Sequence, residues 1–540
     1  MGTPYGLQSM LKDGYKHMSG LDEAVLKNID ACKQLSQITR TSLGPNGLNK
    51  MVINHLEKLF VTSDTTTILT ELEVAHPAAS MLVLAAKALE TEIGDGTNFV
   101  VTLAGELLAQ AESLLVDGLH PSEVVEGYIK ARDAALRMLD DLVIEGSDKV
   151  DCRDVKQVSQ CMRAAVSAKQ FGYEDLLCPL IAEACISTCP ANPANFNVDN
   201  VRVAKITGTG LGTSQVIKGM IIKRDSEGTI KKVAKAKIAV FGTGIETSAT
   251  ETKGTVLIES AEQLQNFAKG EESQMDEYIK AIADSGAKVV VSGSAISETA
   301  MHFIERHGLM AVKVPSKFEL RRLCRTTGAV SLVKSGAPGP DELGYADSVT
   351  VEEIGGQRVL VIKQDEAQTG VATVVLRAST DNIMDDVERA VDDGVNTYKA
   401  MCKDSRRVPG AGATEVELAH RLSVLARKET GLAQYAISKF GTALELFPRI
   451  LAENAGLNAT NIVAQLYAAH AAGDRMAGIN VEEGVVQDMT KEDICDLYVT
   501  KYWGIKFALD AVLTVLRVDQ IIMAKPAGGP KGPPPGAGED

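Results

Sequence analysis

The run Gly94-Asp95-Gly96-Thr97-Asn98 stands directly before the apolar stretch Phe99 to Leu108. Its residue types suit one kind of chemistry, the holding of a phosphate. Two glycines let the backbone come close to a ligand, Thr97 and Asn98 can cap a helix, and the unpaired amides of that helix's first turn attract an anion. Asp95 adds a hard oxygen ligand of the kind Mg²⁺ takes alongside phosphate oxygens. The Lys of a Walker A loop is absent here and elsewhere in the chain. Many Gly-Asp-Gly strings are ordinary turns into helices, so the run needs company before it means a nucleotide.

Three further segments supply it. Thr41-Ser42-Leu43-Gly44-Pro45-Asn46-Gly47-Leu48-Asn49-Lys50 follows a helical pattern of Leu21, Val25, Ile29, Cys32, Leu35 and Ile38. Its Gly-Pro-Asn-Gly core turns the chain sharply and presents backbone amides, although a plain helix-helix connection would look the same. Thr62-Ser63-Asp64-Thr65-Thr66-Thr67-Ile68 comes next, and Val408-Pro409-Gly410-Ala411-Gly412-Ala413-Thr414-Glu415 lies far downstream. The order and separation of the four segments resemble the chaperonins, double-ring ATP-driven folding machines, and the group II eukaryotic cytosolic type fits best. The end of the chain, Tyr502-Trp503-Gly504-Ile505-Lys506 through Leu516-Arg517-Val518-Asp519-Gln520-Ile521-Ile522-Met523, carries the same resemblance, which covers essentially all of the sequence.

That resemblance implies a set of site residues. Leu43 and Gly44 would meet the phosphate and base side, and Gly96, Thr97, Asn98 and Phe99 the phosphates. Gly410, Ala411 and Gly412 would meet the sugar and base, Asp496 the ribose, and Asp95 the Mg²⁺. Ser167, Ala168 and Lys169 match a loop that senses the nucleotide, with Lys169 as a γ-phosphate ligand. In Glu388-Arg389-Ala390-Val391-Asp392-Asp393-Gly394-Val395, Asp393 sits where chaperonins carry the carboxylate that positions the attacking water, and Asp64 resembles its catalytic partner. Phosphoryl transfer asks for positioning and charge more than covalent help, so such a set suffices. On periodicity alone the same helix reads differently: Met384, Val387, Val391, Val395 and Tyr398 form an apolar stripe, while Asp385, Asp386, Glu388, Asp392 and Asp393 lie largely off it, as on a solvated acidic face. Ala411 stands where a middle glycine is usual in the family, Thr65 where Gly follows the aspartate, Asn46 where many relatives have Lys, and Gly394 where Ala is usual.

The elements that must position these residues fall into two patterns. From Leu21 to about Leu142, and again from Glu415 to Met523, apolar residues recur at helical spacing, for example Met81, Leu84 and Leu89, then Leu103, Leu107 and Leu108. Between them, short strand-like runs at 237–241, 288–292 and 310–314 alternate with helical segments at 276–287 and 298–307, an α/β layout. The fold class expected is therefore a mainly α domain built from both chain ends, with α/β domains inserted. The chaperonin resemblance names an equatorial ATP-binding domain at 1–148 and 402–540, an intermediate hinge domain at 149–218 and 368–401, and an apical client-binding domain at 219–367. A helical protrusion is expected near 242–273, and the Gly- and Pro-rich 527–540 is expected to be a disordered tail.

Composition narrows the function classes. With 71 acidic against 56 basic residues and a net charge of -15, the chain offers no basic stripe for nucleic acid. Nine scattered cysteines without a CxxC pair point to free thiols in a reducing compartment. The first twenty residues lack the apolar core of a secretory signal, and no run of 18 apolar residues appears, so the expected place is the cytoplasm and no membrane partner is expected. The resemblance implies ATP/ADP and Mg²⁺ as cofactors, seven paralogous chaperonin subunits per ring in a double ring as partners, and unfolded clients such as actin and tubulin. Apolar residues at both ends, Leu7, Met10 and Leu11 and then Val518, Ile521, Ile522 and Met523, fit strands that pair otherwise exposed edges in such an assembly. Two other readings stay open: a ring subunit that binds nucleotide but hydrolyses it slowly or not at all, and a small-molecule ATP-dependent enzyme. The second lacks a His, Cys or Ser constellation for a further substrate.

A Gly- and Pro-rich tail has little apolar surface to contribute. Deleting residues 529–540 should leave assembly and ATP turnover unchanged, as read by size-exclusion chromatography and phosphate release; loss of the assembled form would show that the tail is structural.

Overall fold

The computed structural model describes residues 16–19, 24–246, 260–333, 336–364 and 370–523. The chain divides into two compact units, one made of Met1–Glu145 with Arg406–Asp540 and the other of Gly146–Ser405.

The first unit is a helical body around one helix, Thr97–Val116, whose apolar residues point in every direction and are buried on every side. By length and composition alone this helix could cross a membrane; its place in the core accounts for that composition. Leu26–Arg40, Pro77–Glu92, Pro121–Asp140, Ala433–Leu444 and Tyr498–Leu516 pack around it. Two of these begin on proline, whose fixed φ and missing N–H suit a helix's first position. Small residues set the close approaches: a side chain at Gly105 would collide with Ser36, and one at Gly127 with Ala436. Tyr128 is fully buried and donates its hydroxyl to Leu107 O at 2.8 Å, with its ring edge-on to Phe440.

Three details depart from the periodicity. Leu84 and Ile38, both on expected apolar stripes, are exposed. The chain after the Gly-Pro-Asn-Gly turn forms an antiparallel hairpin, Lys50–Ile53 with Leu59–Thr62, in which Val52 is buried and Met51 and Ile53 face outward. The two chain ends pair with each other: Lys16–Ser19 runs antiparallel to Gln520–Met523, Lys16 opposite Met523. Val518 precedes that strand, its N–H bonded to Val515 O. Leu7, Met10, Leu11, the 527–540 tail and most of the expected protrusion loop lie outside the described residues.

The second unit is built on a nine-stranded mixed sheet. Its strands at one end are parallel, Lys232–Phe241 beside Ala287–Ser292 beside Met310–Lys313, joined through the helices Ala261–Asp284 and Glu298–Arg306. Alternation along a strand sends Ala239 and Phe241 toward these helices and Ile238 and Val240 to the opposite face, where Leu320 and Leu323 of the helix Lys317–Thr327 cover them. A two-residue turn at Gly355-Gly356, both at positive φ, closes the hairpin Gly344–Ile354 with Gln357–Lys363. The strand Gln215–Ile222 is shared: residues 215–218 pair with Ala372–Ala378, and residues 219–222 pair with Gln357–Lys363. The expected division at 218/219 thus falls inside one strand, at Gly219, whose φ of 135° and contact with Ile362 O leave no room for a side chain. Helices Val155–Ser167, Glu174–Ser187 and Asp381–Lys403 complete the unit. None of the nine cysteines forms a disulfide, and four of them, Cys152, Cys185, Cys189 and Cys402, gather about Tyr398, whose hydroxyl donates to Cys152 O at 2.9 Å.

In the first unit, the fully buried His470 side chain lies 2.8 Å from Glu417 Oε2, and Arg421 Nε donates to Glu417 Oε1 at 2.8 Å. Burial pushes the Glu417 carboxyl up, but the bonds to His470 and Arg421 outweigh it and hold its pKa at about 2. A folded-state pKa below the unfolded one stabilises the fold above the unfolded value and is lost as pH falls through the folded one. Wild type should therefore lose stability between about pH 4.5 and 2 more steeply than Glu417→Gln. At pH 7 that variant should be about 3 kcal/mol less stable, measured by denaturant unfolding, because His470 and Arg421 lose their charged acceptor.

Candidate functional site

The helix Thr97–Val116 starts at Gly96, whose φ of 82° is left-handed and whose position offers no side-chain cap. Its first-turn amides are therefore not satisfied by a capping side chain, and the helix dipole adds positive potential there. Asp95 Oδ1 accepts from Gly96 N at 2.6 Å, which ties the carboxylate to the same turn. A methyl at Gly96 would lie 2.8 Å from Thr500 Cγ2 and 3.4 Å from Leu89 Cδ2, so the turn is fixed by packing as well as by φ.

The Leu43–Gly44 turn is anchored beside this helix start. Asn98 Nδ2 donates to Thr39 O at 3.1 Å and to Ser42 Oγ at 3.3 Å, while Asn98 Oδ1 accepts from Thr102 Oγ1 at 2.9 Å. From the other side Asn454 Nδ2 donates to Leu43 O at 2.8 Å. Gly44 has a φ of 82° and sits against Leu451. The Asn98 side chain is thus spent on holding the turn, and the Phe99 ring is buried, stacked on Phe447 with centroids 4.4 Å apart. Any contact of Asn98 or Phe99 with a bound phosphate falls to their backbone.

Gly410, Ala411 and Gly412 lead into the helix Ala413–Lys428, which begins on left-handed Gly412 without a side-chain cap. Pro448 packs against Gly412 one residue from Phe447, so this loop and the Phe99 turn share a wall. Ala411 has a φ of 53°, a conformation that glycine adopts without cost and alanine does not. Ile479 N holds Ala411 O at 3.1 Å, and Gly410 N bonds Ile494 O at 3.0 Å. Asp496 lies on a short strand opposite Val408. Its carboxylate is 2.9 Å from Lys501 Nζ, which also bonds Glu415 Oε1 and lies 4.8 Å from the Phe99 ring centre. The structure therefore brings together Leu43, Gly44, Asp95 to Phe99, Gly410 to Gly412 and Asp496, all in the first unit.

Asp64 caps the helix Thr65–Glu71, its Oδ2 accepting from Thr67 N at 2.8 Å and Thr67 Oγ1 at 2.7 Å. It is buried, and so is the neighbouring Thr65 Oγ1, which has no protein partner. A buried hydroxyl without a partner beside a buried carboxylate fits a ligand that brings its own polar atoms.

The second unit holds the other four residues. Ser167 ends the helix Val155–Ser167, with its hydroxyl donating to Ala164 O at 3.1 Å, and Ala168 is the C-cap. Lys169 Nζ stands 3.4 Å from Asp393 Oδ2, both side chains largely buried. The acidic-face reading of the Asp381–Lys403 helix is corrected here: Asp392 faces solvent, but Asp393 and Asp386 are buried, the latter bonded by Gln170 and paired with Arg389. Asp385 and Glu388 grip Lys205 at 2.5 and 2.7 Å. Gly394 is packed; a methyl there would lie 3.0 Å from Ile181 Cδ1 and 3.4 Å from Val166 Cγ2, a tight but side-chain-lined space.

Sequence reasoning missed Lys501, Glu415, Phe447 and Asn454 as parts of the first unit's site. All are common residue types joined only by the fold; Glu415 ends one of the recognised segments and Lys501 directly precedes another, yet neither carried a signal of its own. Among the described residues no three His, Cys, Asp or Glu side chains group to hold a metal unaided, which suits a Mg²⁺ that takes most of its ligands from phosphate and water.

Residues 35–526 match the model of the TCP-1/cpn60 chaperonin family. Among curated proteins, T-complex protein 1 subunit theta of Arabidopsis thaliana is 60% identical over 528 residues, covering 98% of this chain and 96% of its own. The proteins of the same name from Dictyostelium discoideum and Homo sapiens are 51% identical over 528 residues and 52% identical over 530. Each alignment covers 98% of this chain, and 98% and 96% of those relatives.

Gly96→Ala forces a left-handed alanine against Thr500 and should weaken Mg-ATP binding at least tenfold, measured by nucleotide competition, with a stability loss of about 1–2 kcal/mol. Ala411→Gly relieves the opposite condition and should bind nucleotide as tightly as wild type or better.

Proposed function

The chain belongs to the TCP-1/cpn60 chaperonin family, and from that premise we propose that it is a theta-type subunit of a hetero-oligomeric cytosolic chaperonin, binding and hydrolysing ATP to drive the folding of client proteins. One observation carries the nucleotide part of this reading: two helices that start on uncapped left-handed glycines, at Gly96 and Gly412, converge with Asp496 around the Phe99–Phe447 stack.

Gly44 and the Gly96 turn offer backbone amides to the phosphates, the Gly410–Gly412 loop borders the sugar and base, and Asp496 accepts from the ribose. Asp95 is the protein's carboxylate for Mg²⁺, which when bound neutralises phosphate charge and polarises the transferred group. By the family resemblance, Asp393 is assigned the orienting of the attacking water, and Asp64 is assigned as a second catalytic carboxylate. Lys169, held beside Asp393 by their ion pair, senses the γ-phosphate. Because catalysis of phosphoryl transfer is positioning and charge, the two carboxylates need no nucleophile of the enzyme's own. The reading includes the three-domain division into equatorial, intermediate and apical parts. It also includes a double ring with seven paralogous subunits beside this one in each ring, and clients such as actin and tubulin.

Asp393→Ala should keep nucleotide binding yet slow hydrolysis at this subunit by roughly 10²- to 10⁴-fold, the usual yield of a positioned general base. Asp95→Ala should weaken Mg-ATP binding itself. Both are read on this subunit in the intact complex, by nucleotide occupancy in a density map under cycling conditions. ADP in the Asp393→Ala site as often as in wild type would end the catalytic assignment. Size-exclusion chromatography of native extract should find the chain in a particle many times its own mass, and a monomeric active pool would sink the ring reading.

A further inference from the structure

Lys501 is the most buried cation of the first unit's site. It sits one turn into the helix Tyr498–Leu516, and Gly504 one turn further lets the same helix face lie against the Phe99 ring. An ammonium has three donors. Here one meets Glu415 Oε1, one meets Asp496 Oδ2 at 2.9 Å, and Nζ stands 4.8 Å from the centre of the Phe99 ring. Burial opposes the charge, but Asp496 and then Glu415 more than offset it and raise the lysine pKa above its ordinary value. The ammonium stays charged.

Its three contacts belong to three separate stretches of chain. Phe99 follows the Gly96 turn, Glu415 follows the Gly410–Gly412 loop, and Asp496 lies on the strand opposite Val408. Glu415 is almost fully buried and its Oε2 has no protein partner, so Lys501 is the cation that ties the Glu415 and Asp496 carboxylates to one point. Asp496 keeps 29% of its side chain exposed: the lysine holds the carboxylate from the buried side and leaves an outward face for a ligand.

We propose that Lys501 is a positioning residue for the nucleotide: it fixes the orientation of the Asp496 carboxylate, so that it can accept from the ribose hydroxyls, and locks the Phe99 turn and the Gly410–Gly412 loop to the same point. This rests on the reading that Asp496 binds ribose. Lys501 touches no reacting atom. Its loss should therefore blur recognition of the sugar, whereas a merely structural lysine would leave that selectivity intact in every variant that assembles.

The test uses the whole complex carrying the variant subunit, photolabelled with 8-azido-ATP and separated by electrophoresis so that only this chain is read. ATP and its 2′-deoxy and 3′-deoxy analogues compete for labelling. In wild type, ATP should compete about tenfold better than at least one analogue, the usual worth of a hydrogen bond to a charged group. Lys501→Met should bring ATP and that analogue within about twofold of each other, and Lys501→Arg should restore part of the difference. Asp496→Asn separates the two readings. If it erases the selectivity while Lys501→Met retains it, the lysine proposal is overturned and the ribose reading survives. If Asp496→Asn itself retains wild-type selectivity, the ribose reading fails and takes the proposal with it. Should Lys501→Met fail to assemble, Glu415→Gln/Lys501→Met removes one unpaired buried carboxylate; retained selectivity in that double variant overturns the proposal equally.

Discussion

Fold and candidate site in the first unit depend on one backbone event, the left-handed turn at Gly96 from which the central helix departs. The turn aims that helix into the core, where Val100, Leu103, Leu107 and Leu108 are fully buried. It also leaves the helix's opening amides without a side-chain cap, beside the Leu43–Gly44 turn. Phe99, one turn in, serves both ends: its ring stacks on Phe447 in the core and lies under Lys501 at the site. A ligand that engages the amides therefore stabilises the same helix around which the unit is packed, and binding and folding are linked through it.

Around that turn, polar groups are buried in pairs that satisfy one another. Glu415 and Glu417 are two residues apart on the helix Ala413–Lys428, so they project to different sides. One goes to Lys501, the other to His470 and Arg421. His470 continues to Ala477 O at 2.9 Å, and the strand Ala477–Asn480 bonds Ala411 O through Ile479 N. The strained loop at Ala411 is thereby braced from both sides of one helix. Buried ion pairs of this kind add little net stability over apolar packing; what they provide here is a single permitted position for each loop.

Much of this was readable before any coordinates. Glycine runs are local statements, since a positive φ or a tight contact is needed at that residue whatever lies elsewhere, and Gly44, Gly96 and Gly412 all proved left-handed. The strand-like runs at 237–241, 288–292 and 310–314 were legible as short β-rich apolar stretches, and the strands are Lys232–Phe241, Ala287–Ser292 and Met310–Lys313. The rest is non-local. Lys501, Phe447 and Asn454 acquire meaning only through partners far away in sequence, and no spacing announces them. The acidic helix misled because periodicity gives the direction of a side chain but not its partner: Asp386 and Asp393 are buried because Arg389, Gln170 and Lys169 reach them. The hairpin at 50–62 escaped because its outward Met51 and Ile53 break the polar-out alternation by which a half-buried strand is recognised.

The first unit is assembled from the two ends of the chain, with Lys16 paired to Met523, and this sets a timetable for its biogenesis. Residues Gly146–Ser405 are contiguous and can close their sheet as soon as they leave the ribosome. The opening helices cannot: Leu26–Arg40 and Thr97–Val116 must keep their apolar faces from other chains until Tyr498–Leu516 arrives. At ordinary elongation speeds of about 5–20 residues per second, the 381 residues from 117 to 497 that separate the central helix from its last neighbour take roughly twenty seconds to over a minute. For that interval the face of the central helix that Tyr498–Leu516 finally covers stays without its native partner, so a chain that belongs to a family of chaperonins is itself exposed to misassembly while it is made.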